Sequence, residues 1–402
     1  MALAEVPAIL ALVGIAAYIV FAGADFGAGL WYLLAGPGPR GRPIRDFTYH
    51  AMAAVWEANH VWLIFVLVVT WTAYPTAFGS IASTLAVALF IGAVGIIMRG
   101  TAYALRSGAP PDRETEGFIG FVFGASSVLT PFALGAAIGG IASGRVPVGN
   151  ARGDLVTSWL NATSIMVGAL AVATSGYLAA VYLAGDATRA GEGELARVFR
   201  MRALAMAVVA GALAIAGLFV VRSDARPLFD GLTSGAGLVV VIVSALAGVM
   251  TFALVWARRY EPARVSAAAA VAAIIAGWGL AQEPYLLPPD LTVRAAAGSH
   301  ATLVALIVSI AIGLAILVPS LVLLFGLVLR GRFDEGAPTV EEHYAPHGGP
   351  RRSFAAVAVV LLVVGSALTF LGEGALLAIG VICLGGFVAT GVAELLRPEA
   401  LE

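Results

Sequence analysis

Long apolar runs dominate this sequence and limit the folds open to it. Of its 402 residues, 60% are hydrophobic and only 12% are charged, whereas about 25% of residues are charged in soluble domains. A membrane-spanning helix needs about 20 mostly apolar residues. Eleven runs meet that length: 7–35, 51–73, 80–106, 118–142, 159–184, 203–221, 235–257, 264–282, 301–329, 354–371 and 375–395. We therefore predict an all-α polytopic membrane protein.

The division of the chain follows from where these runs stop. They are continuously apolar and lack the alternation of membrane strands, so helices rather than a barrel are expected. Residues 1–330 are predicted to form the main transmembrane domain, 331–353 a charged cytoplasmic linker, and 354–402 an extra transmembrane hairpin with a short cytoplasmic tail. The first run begins at Val6 without a basic region before it, from which we expect no cleavable signal peptide.

The arginines predict the orientation. Every basic residue is an arginine, and cytoplasmic loops of membrane proteins carry an excess of such residues. With the N-terminus outside and the C-terminus inside, 17 of the 23 arginines lie in cytoplasmic loops and 5 lie in outer loops. Only Arg99 then falls inside a span.

The ionisable residues Asp25, Glu57 and Arg99 fall inside the first three predicted spans, where each is costly. At a rise of about 1.5 Å per residue, Asp25 lies roughly 15 Å from the cytoplasmic end of its helix, and Glu57 and Arg99 lie roughly 10 Å from theirs. Consecutive helices thus bring a carboxylate pair and a guanidinium to similar depth. We predict that Arg99 offsets one carboxylate while the other stays free to titrate, as a proton carrier would. The alternative is a purely structural pair that holds helices in register.

The neighbourhood of this group is also distinctive. The small residues of Gly23–Gly29 allow another helix to approach the Asp25 face closely. Trp56, Glu57 and His60 share one side of the second predicted helix. That side is expected to face protein or a cofactor cavity rather than lipid.

The remaining histidines and the cysteine offer little chemistry. His50 is expected at the membrane interface, and a haem-ligand role for His60 is the less favoured interpretation. The run Glu341–His347 contains two histidines, but Pro346 would break the helix needed to align them, so a solvated loop is expected. The single cysteine, Cys383, excludes an internal disulfide and a cysteine-based metal site.

Four segments together resemble subunit II of the cytochrome bd family of quinol-dependent terminal oxidases. They are Gly23–Gly29, Trp56–Trp62, Arg99–Arg106 and Ala281–Thr292. Their order and spacing are similar to the family pattern, and the resemblance covers about residues 5–330, with nine family-type helices.

The resemblance implies a partner, subunit I, which would carry haem b, haem d and the quinol site and would reduce O2 to water. This chain would lie in a bacterial-type cell membrane and would bind no haem. It would help to deliver protons from the cytoplasm. Glu57 and Asp25 are carried over as proton-pathway residues, Trp56 and Asn59 as their neighbours, and Arg99 as a charge partner. The resemblance also allows this chain to bind a structural quinone, as some relatives do in this subunit.

The chain departs from the family pattern at several positions. Acidic residues usual in the family are replaced by Ala22 and Ala104, Glu57 stands where Asp is usual, and His60 stands where Gln or Glu is common. The proton route is therefore expected to be altered, to run through the partner, or to be lost. The extra hairpin lies outside the family frame and is interpreted as a replacement for a small accessory subunit.

A secondary transporter or ion channel is the rival interpretation, with Asp25, Glu57 and Arg99 as its coupling site. Transporters often show repeated halves and interrupted helices at the midplane. This sequence has no clear repeat, and its charged group lies off centre, so the oxidase subunit is favoured.

Overall fold

The computed structural model describes residues 3–36, 38–52, 56–107 and 113–329, together with scattered positions between 357 and 387. The chain forms two compact units, Met1–Val318 and Pro319–Glu402. The boundary between them falls within the last long helix, at Pro319.

Thirteen α-helices follow one another in the part of the chain described up to residue 329. They are α1 (Val6–Leu34), α2 (Arg42–Met52), α3 (Trp56–Ala73), α4 (Pro75–Thr84), α5 (Ala86–Ser107), α6 (Arg113–Ala142), α7 (Ala162–Arg189), α8 (Gly193–Asp224), α9 (Arg226–Leu232), α10 (Gly235–Trp256), α11 (Tyr260–Gln282), α12 (Val293–Ala296) and α13 (His300–Leu329). Short 3-10 helices at Leu3–Glu5 and Pro39–Gly41 precede α1 and α2.

The predicted all-α membrane fold is confirmed. Eight described helices are long and apolar enough to cross a membrane by length and composition, and the apolar segment Asn59–Ala73 is shorter. These nine segments correspond to the first nine predicted spans. The predicted linker 331–353 lies outside the described residues, as does most of the predicted hairpin.

One boundary differs from the prediction. The run predicted at 80–106 starts inside α4, because Leu85 leaves the helical backbone conformation and separates α4 from α5. The helix α3 is described from Trp56 onward, and the first two residues of the second predicted run lie at the end of α2. The helix α2 is amphipathic: Ile44 and Phe47 pack on the core, while Arg42 is exposed.

The core of the first unit lies where α1 meets α7, α8 and α11. The small residues predicted to allow close packing on α1 do so here. A Cβ atom on Gly27 would overlap the carbonyl of Ser175 and come within 2.7 Å of the Ala179 side chain. Trp31 adds a hydrogen bond across the same interface, from its indole nitrogen to the Gly176 carbonyl at 2.9 Å.

The end of the bundle predicted to be external is held by polar contacts. Asp224 at the end of α8 accepts hydrogen bonds from both terminal nitrogens of Arg145, at 3.0 and 2.5 Å, and from the Thr163 hydroxyl at 2.6 Å. Between α11 and α12, a proline-rich segment forms an antiparallel hairpin of β1 (Tyr285–Leu287) and β2 (Leu291–Thr292). Together these contacts tie the loops to the helix ends.

In the second unit, the described positions between 357 and 387 are helical. A Cβ atom on Gly365 would lie 2.9 Å from the Leu384 side chain. The packing of positions near 365 on positions near 384 brings together the two predicted C-terminal runs.

Candidate functional site: a buried ion pair and a polar opening

Asp25 of α1 and Arg99 of α5 form an ion pair in the interior of the first unit. Their side chains are 1% and 0% exposed. Arg99 donates from Nε to Asp25 Oδ2 at 3.2 Å and from Nη2 to Asp25 Oδ1 at 2.7 Å. The two parallel hydrogen bonds give the bidentate geometry in which arginine binds a carboxylate most strongly.

The rest of the guanidinium is also satisfied. Nη2 donates to the backbone oxygen of Asp25 at 2.8 Å, and Nη1 donates to the hydroxyl of Ser127 on α6. The ring of Phe123 lies 4.2 Å from the guanidinium carbon, and the rings of Phe26 and Tyr103 both lie 5.4 Å away. Aromatic faces stabilise a desolvated cation. One charge thus joins α1, α5 and α6.

Gly29 makes room for this arrangement. A Cβ atom there would overlap the Ser127 hydroxyl and lie 2.6 Å from Arg99 Nη1. Gly29→Ala should therefore destabilise the protein by about 1–3 kcal/mol, the usual cost of overpacking. The measurement is thermal unfolding of the detergent-solubilised protein. Gly313→Ala in α13 is the control, since a Cβ at Gly313 meets nothing within 4 Å. Equal melting temperatures for the two variants would contradict this explanation.

An aromatic cluster connects the ion pair with one end of the bundle. Tyr103 directs its hydroxyl at Asp25 Oδ1 from 3.5 Å. The rings of Tyr49 and Phe123 each lie 5.1 Å from the Tyr103 ring, and the Tyr32 ring lies 5.3 Å from Phe123. The Tyr49 hydroxyl donates to the Tyr103 carbonyl at 3.3 Å. Phenol groups are thus placed between Asp25 and the helix ends.

Tyr32 also lines a cavity of about 770 Å3 at those helix ends. Charged side chains from the start of α2 contribute to the wall, including Arg42, Arg45 and Asp46. A cavity with charged walls admits water. This is the end of the bundle that the arginine distribution predicts to be cytoplasmic.

Two other residues singled out in the sequence, Asn59 and His60, contact α1 from α3. Asn59 is buried on α3 and donates to the Phe21 carbonyl at 3.4 Å. The His60 ring centre lies 6.0 Å from that of Tyr18 and 6.2 Å from that of Phe26. Asn59 and His60 therefore face α1 near Asp25.

The side chains of Glu57, Trp56 and His50 are outside the part of the chain that the structure describes, so their predicted positions stay predictions. The Asp25–Arg99 pairing agrees with the expectation that Arg99 offsets one carboxylate. Sequence reasoning missed Ser127 and Tyr103. Tyr103 had a usable signal, since it lies one turn after Arg99 on the same helix face, whereas a serine in an apolar run gives none.

The described residues include no group of three or more His, Cys, Asp or Glu side chains that could hold a metal ion. His300, which begins α13, is exposed. The described part of the site consists of the Asp25–Arg99 ion pair and the neighbouring phenol groups.

Comparisons with known proteins agree with the motif resemblance. Residues 3–328 match the family model for cytochrome bd terminal oxidase subunit II. A Bacillus subtilis (strain 168) protein named putative cytochrome bd menaquinol oxidase subunit II is 23% identical over 332 residues, which cover 78% of this chain and 92% of that protein. A chain from the structure of the bd oxidase of Geobacillus thermodenitrificans is 25% identical with a TM-score of 0.65, and the match covers 82% of this chain and 99% of that one.

Proposed function

Since this chain belongs to the cytochrome bd terminal oxidase subunit II family, we propose that it is the haem-free subunit of a quinol oxidase and supports O2 reduction by a haem-bearing partner. The observation that carries the proposal is the family match over residues 3–328, which spans all nine membrane segments of the first unit. This membership favours the oxidase over the transporter or channel interpretation.

The partner, subunit I, would hold haem b and haem d, oxidise quinol and reduce O2 to water. The present chain would contribute a membrane surface for assembly and a path for protons. The N-terminus would lie outside and the C-terminus in the cytoplasm, as the arginine distribution predicts.

Proton uptake would begin at the charged cavity beside Tyr32 and continue toward the first three membrane helices. Asp25 would hold Arg99 in place through its bidentate contact. Glu57 would carry the proton. It precedes His60 by three residues, and residues at this spacing share a helix face.

The experiment is affinity purification of the tagged chain in mild detergent, expressed with its neighbouring subunit I-like gene. A partner that copurifies with b- and d-type haem bands in the reduced-minus-oxidised spectrum is the expected result. Quinol-dependent oxygen consumption by the same preparation would complete the test. A haem-free preparation lacking a partner, although the partner is expressed, would contradict the proposal.

A further inference from the structure

A second cavity, of about 530 Å3, lies between the later helices. It is bounded by α7, α8, α10 and α11, and nearly all its lining is apolar. Representative lining residues are Val208, Gly211, Gly248 and Phe252. No charged side chain is among the described residues that line the cavity. The cavity suits a hydrocarbon chain.

The two ends of this cavity differ. At the end predicted to be external it meets a packed cluster that includes Val221, Leu228 and Trp278, beneath the short helix α9. Its flank between α8 and α10 is open, because a Cβ atom on Gly211 or on Gly248 would meet nothing within 4 Å. A hydrocarbon chain would therefore enter the cavity from the bilayer, through this open flank and from the end opposite α9.

That other end carries positive charge and an indole. Arg200 on α8 donates to the Val255 and Trp256 carbonyls at 3.1 and 2.8 Å, which brings the start of α8 against the end of α10. Its guanidinium carbon lies 5.5 Å from the centre of the exposed Trp256 ring. Arg197, one helical turn before Arg200, and Arg258, two residues after Trp256, are exposed.

These two exposed arginines are available for an anion. Among the described residues, neither Arg197 nor Arg258 is in a salt bridge with a carboxylate. Arg258 also has a positive φ of 59°, a backbone conformation that glycine adopts more easily than arginine. An arginine is thus present where the backbone alone would favour glycine.

We propose that this groove binds an anionic phospholipid, with the phosphate at Arg197 and Arg258 and one acyl chain between α8 and α10. Eleven residues separate Arg200 from Gly211, which corresponds to about 17 Å along the helix. A common acyl chain spans a similar depth of one leaflet, given a hydrocarbon core of about 30 Å. Indole rings at the level of the headgroups are typical anchors in such an interface.

The charge at the opening favours a phospholipid over a quinone. A quinone head is uncharged and would gain nothing from two guanidinium groups, whereas each arginine near the membrane surface contributes to binding an anionic lipid. A zwitterionic lipid would gain less than an anionic one. The proposal therefore predicts selectivity by headgroup charge.

The test uses the purified oxidase complex containing the full chain. The complex is delipidated in detergent, incubated with phosphatidylglycerol, phosphatidylcholine or a quinone, and analysed by native mass spectrometry. Retention of phosphatidylglycerol is expected to fall by at least about tenfold in the double variant Arg197→Gln, Arg258→Gly. Arg258→Gly suits the positive φ, so loss of folding is not expected.

A second variant tests the acyl-chain groove separately. Gly248→Leu should fill the open space between α8 and α10 and reduce retention of the lipid without harming the helix. Gly313→Leu, at another helical position with open space, and Arg222→Gln, an exposed arginine at the other end of α8, are the matched controls. Both controls should retain phosphatidylglycerol as the unmodified complex does.

Three outcomes would overturn the proposal. One is equal retention of phosphatidylglycerol and phosphatidylcholine, another is a quinone bound in place of a phospholipid, and the third is unchanged retention in both the arginine and the Gly248 variants. A loss confined to the arginine and Gly248 variants would support it.

Discussion

Glu57→Gln is expected to give an oxidase that assembles with its haems but consumes oxygen at least about 100-fold more slowly with quinol as donor. The amide has nearly the size of the carboxyl but cannot accept and release a proton at neutral pH. Loss of a group that transfers a proton commonly costs about 100-fold or more. The measurement is oxygen consumption normalised to the haem d content of the purified complex.

Two further variants make this test specific. Glu57→Asp keeps a carboxyl group and restores the residue usual in the family, so it should retain most of the activity. Glu194→Gln removes an exposed carboxyl at the start of α8, remote from the site, and should leave oxygen consumption unchanged. Full activity of Glu57→Gln in an assembled, haem-loaded complex would exclude Glu57 from the proton route.

The second large effect is expected from Arg99→Met. It removes one member of a fully buried ion pair and leaves the Asp25 carboxylate without its counter-charge. Breaking such a pair from one side costs about 3–5 kcal/mol, a large part of the stability of a typical domain. We expect little assembled complex and a clearly lower melting temperature. Both are measurable by size-exclusion chromatography and a thermal unfolding scan in detergent.

Removal of both charges should be less harmful than removal of one. The double variant Asp25→Asn, Arg99→Met has no buried charge to desolvate, and its stability should recover a large part of the loss. Arg226→Met is the control, because it breaks the exposed ion pair with Asp230, which contributes at most about 1 kcal/mol. A double variant as unstable as the single one would contradict the ion-pair explanation.

The same double variant separates the roles of the two carboxylates. If Asp25 supplies only a fixed charge, the assembled double variant should consume oxygen faster than Glu57→Gln does. If it is as inactive as Glu57→Gln, Asp25 belongs to the proton route itself. Ala22 and Ala104 occupy two positions that are usually acidic in the family. With fewer carboxyl groups present, a proton route through this chain would depend more strongly on Glu57 and Asp25, and the comparison tests which of the two it uses.

Much of the fold could be predicted from the sequence. The apolar runs predicted the first nine membrane segments, because the bilayer requires a minimum length of apolar helix whatever its neighbours are. The structure differed from the prediction where this length requirement does not apply. The helix α2 (Arg42–Met52) is amphipathic and lies outside the long apolar runs, and the break at Leu85 depends on local backbone conformation within an apolar stretch.

The candidate site was only partly predictable. The sequence by itself predicted that Asp25, Glu57 and Arg99 lie at similar depth, since helical rise and span boundaries set depth. The contact between Asp25 and Arg99 agrees with this prediction, and the depth of Glu57 stays a prediction. Only the tertiary structure decided that Arg99 pairs with Asp25, that Ser127 and Phe123 complete its surroundings, and that Tyr32 joins the aromatic cluster to a charged cavity. The physical reason is that a single sequence specifies height along each helix, whereas the rotation and neighbours of the helices follow from packing among α1, α5 and α6.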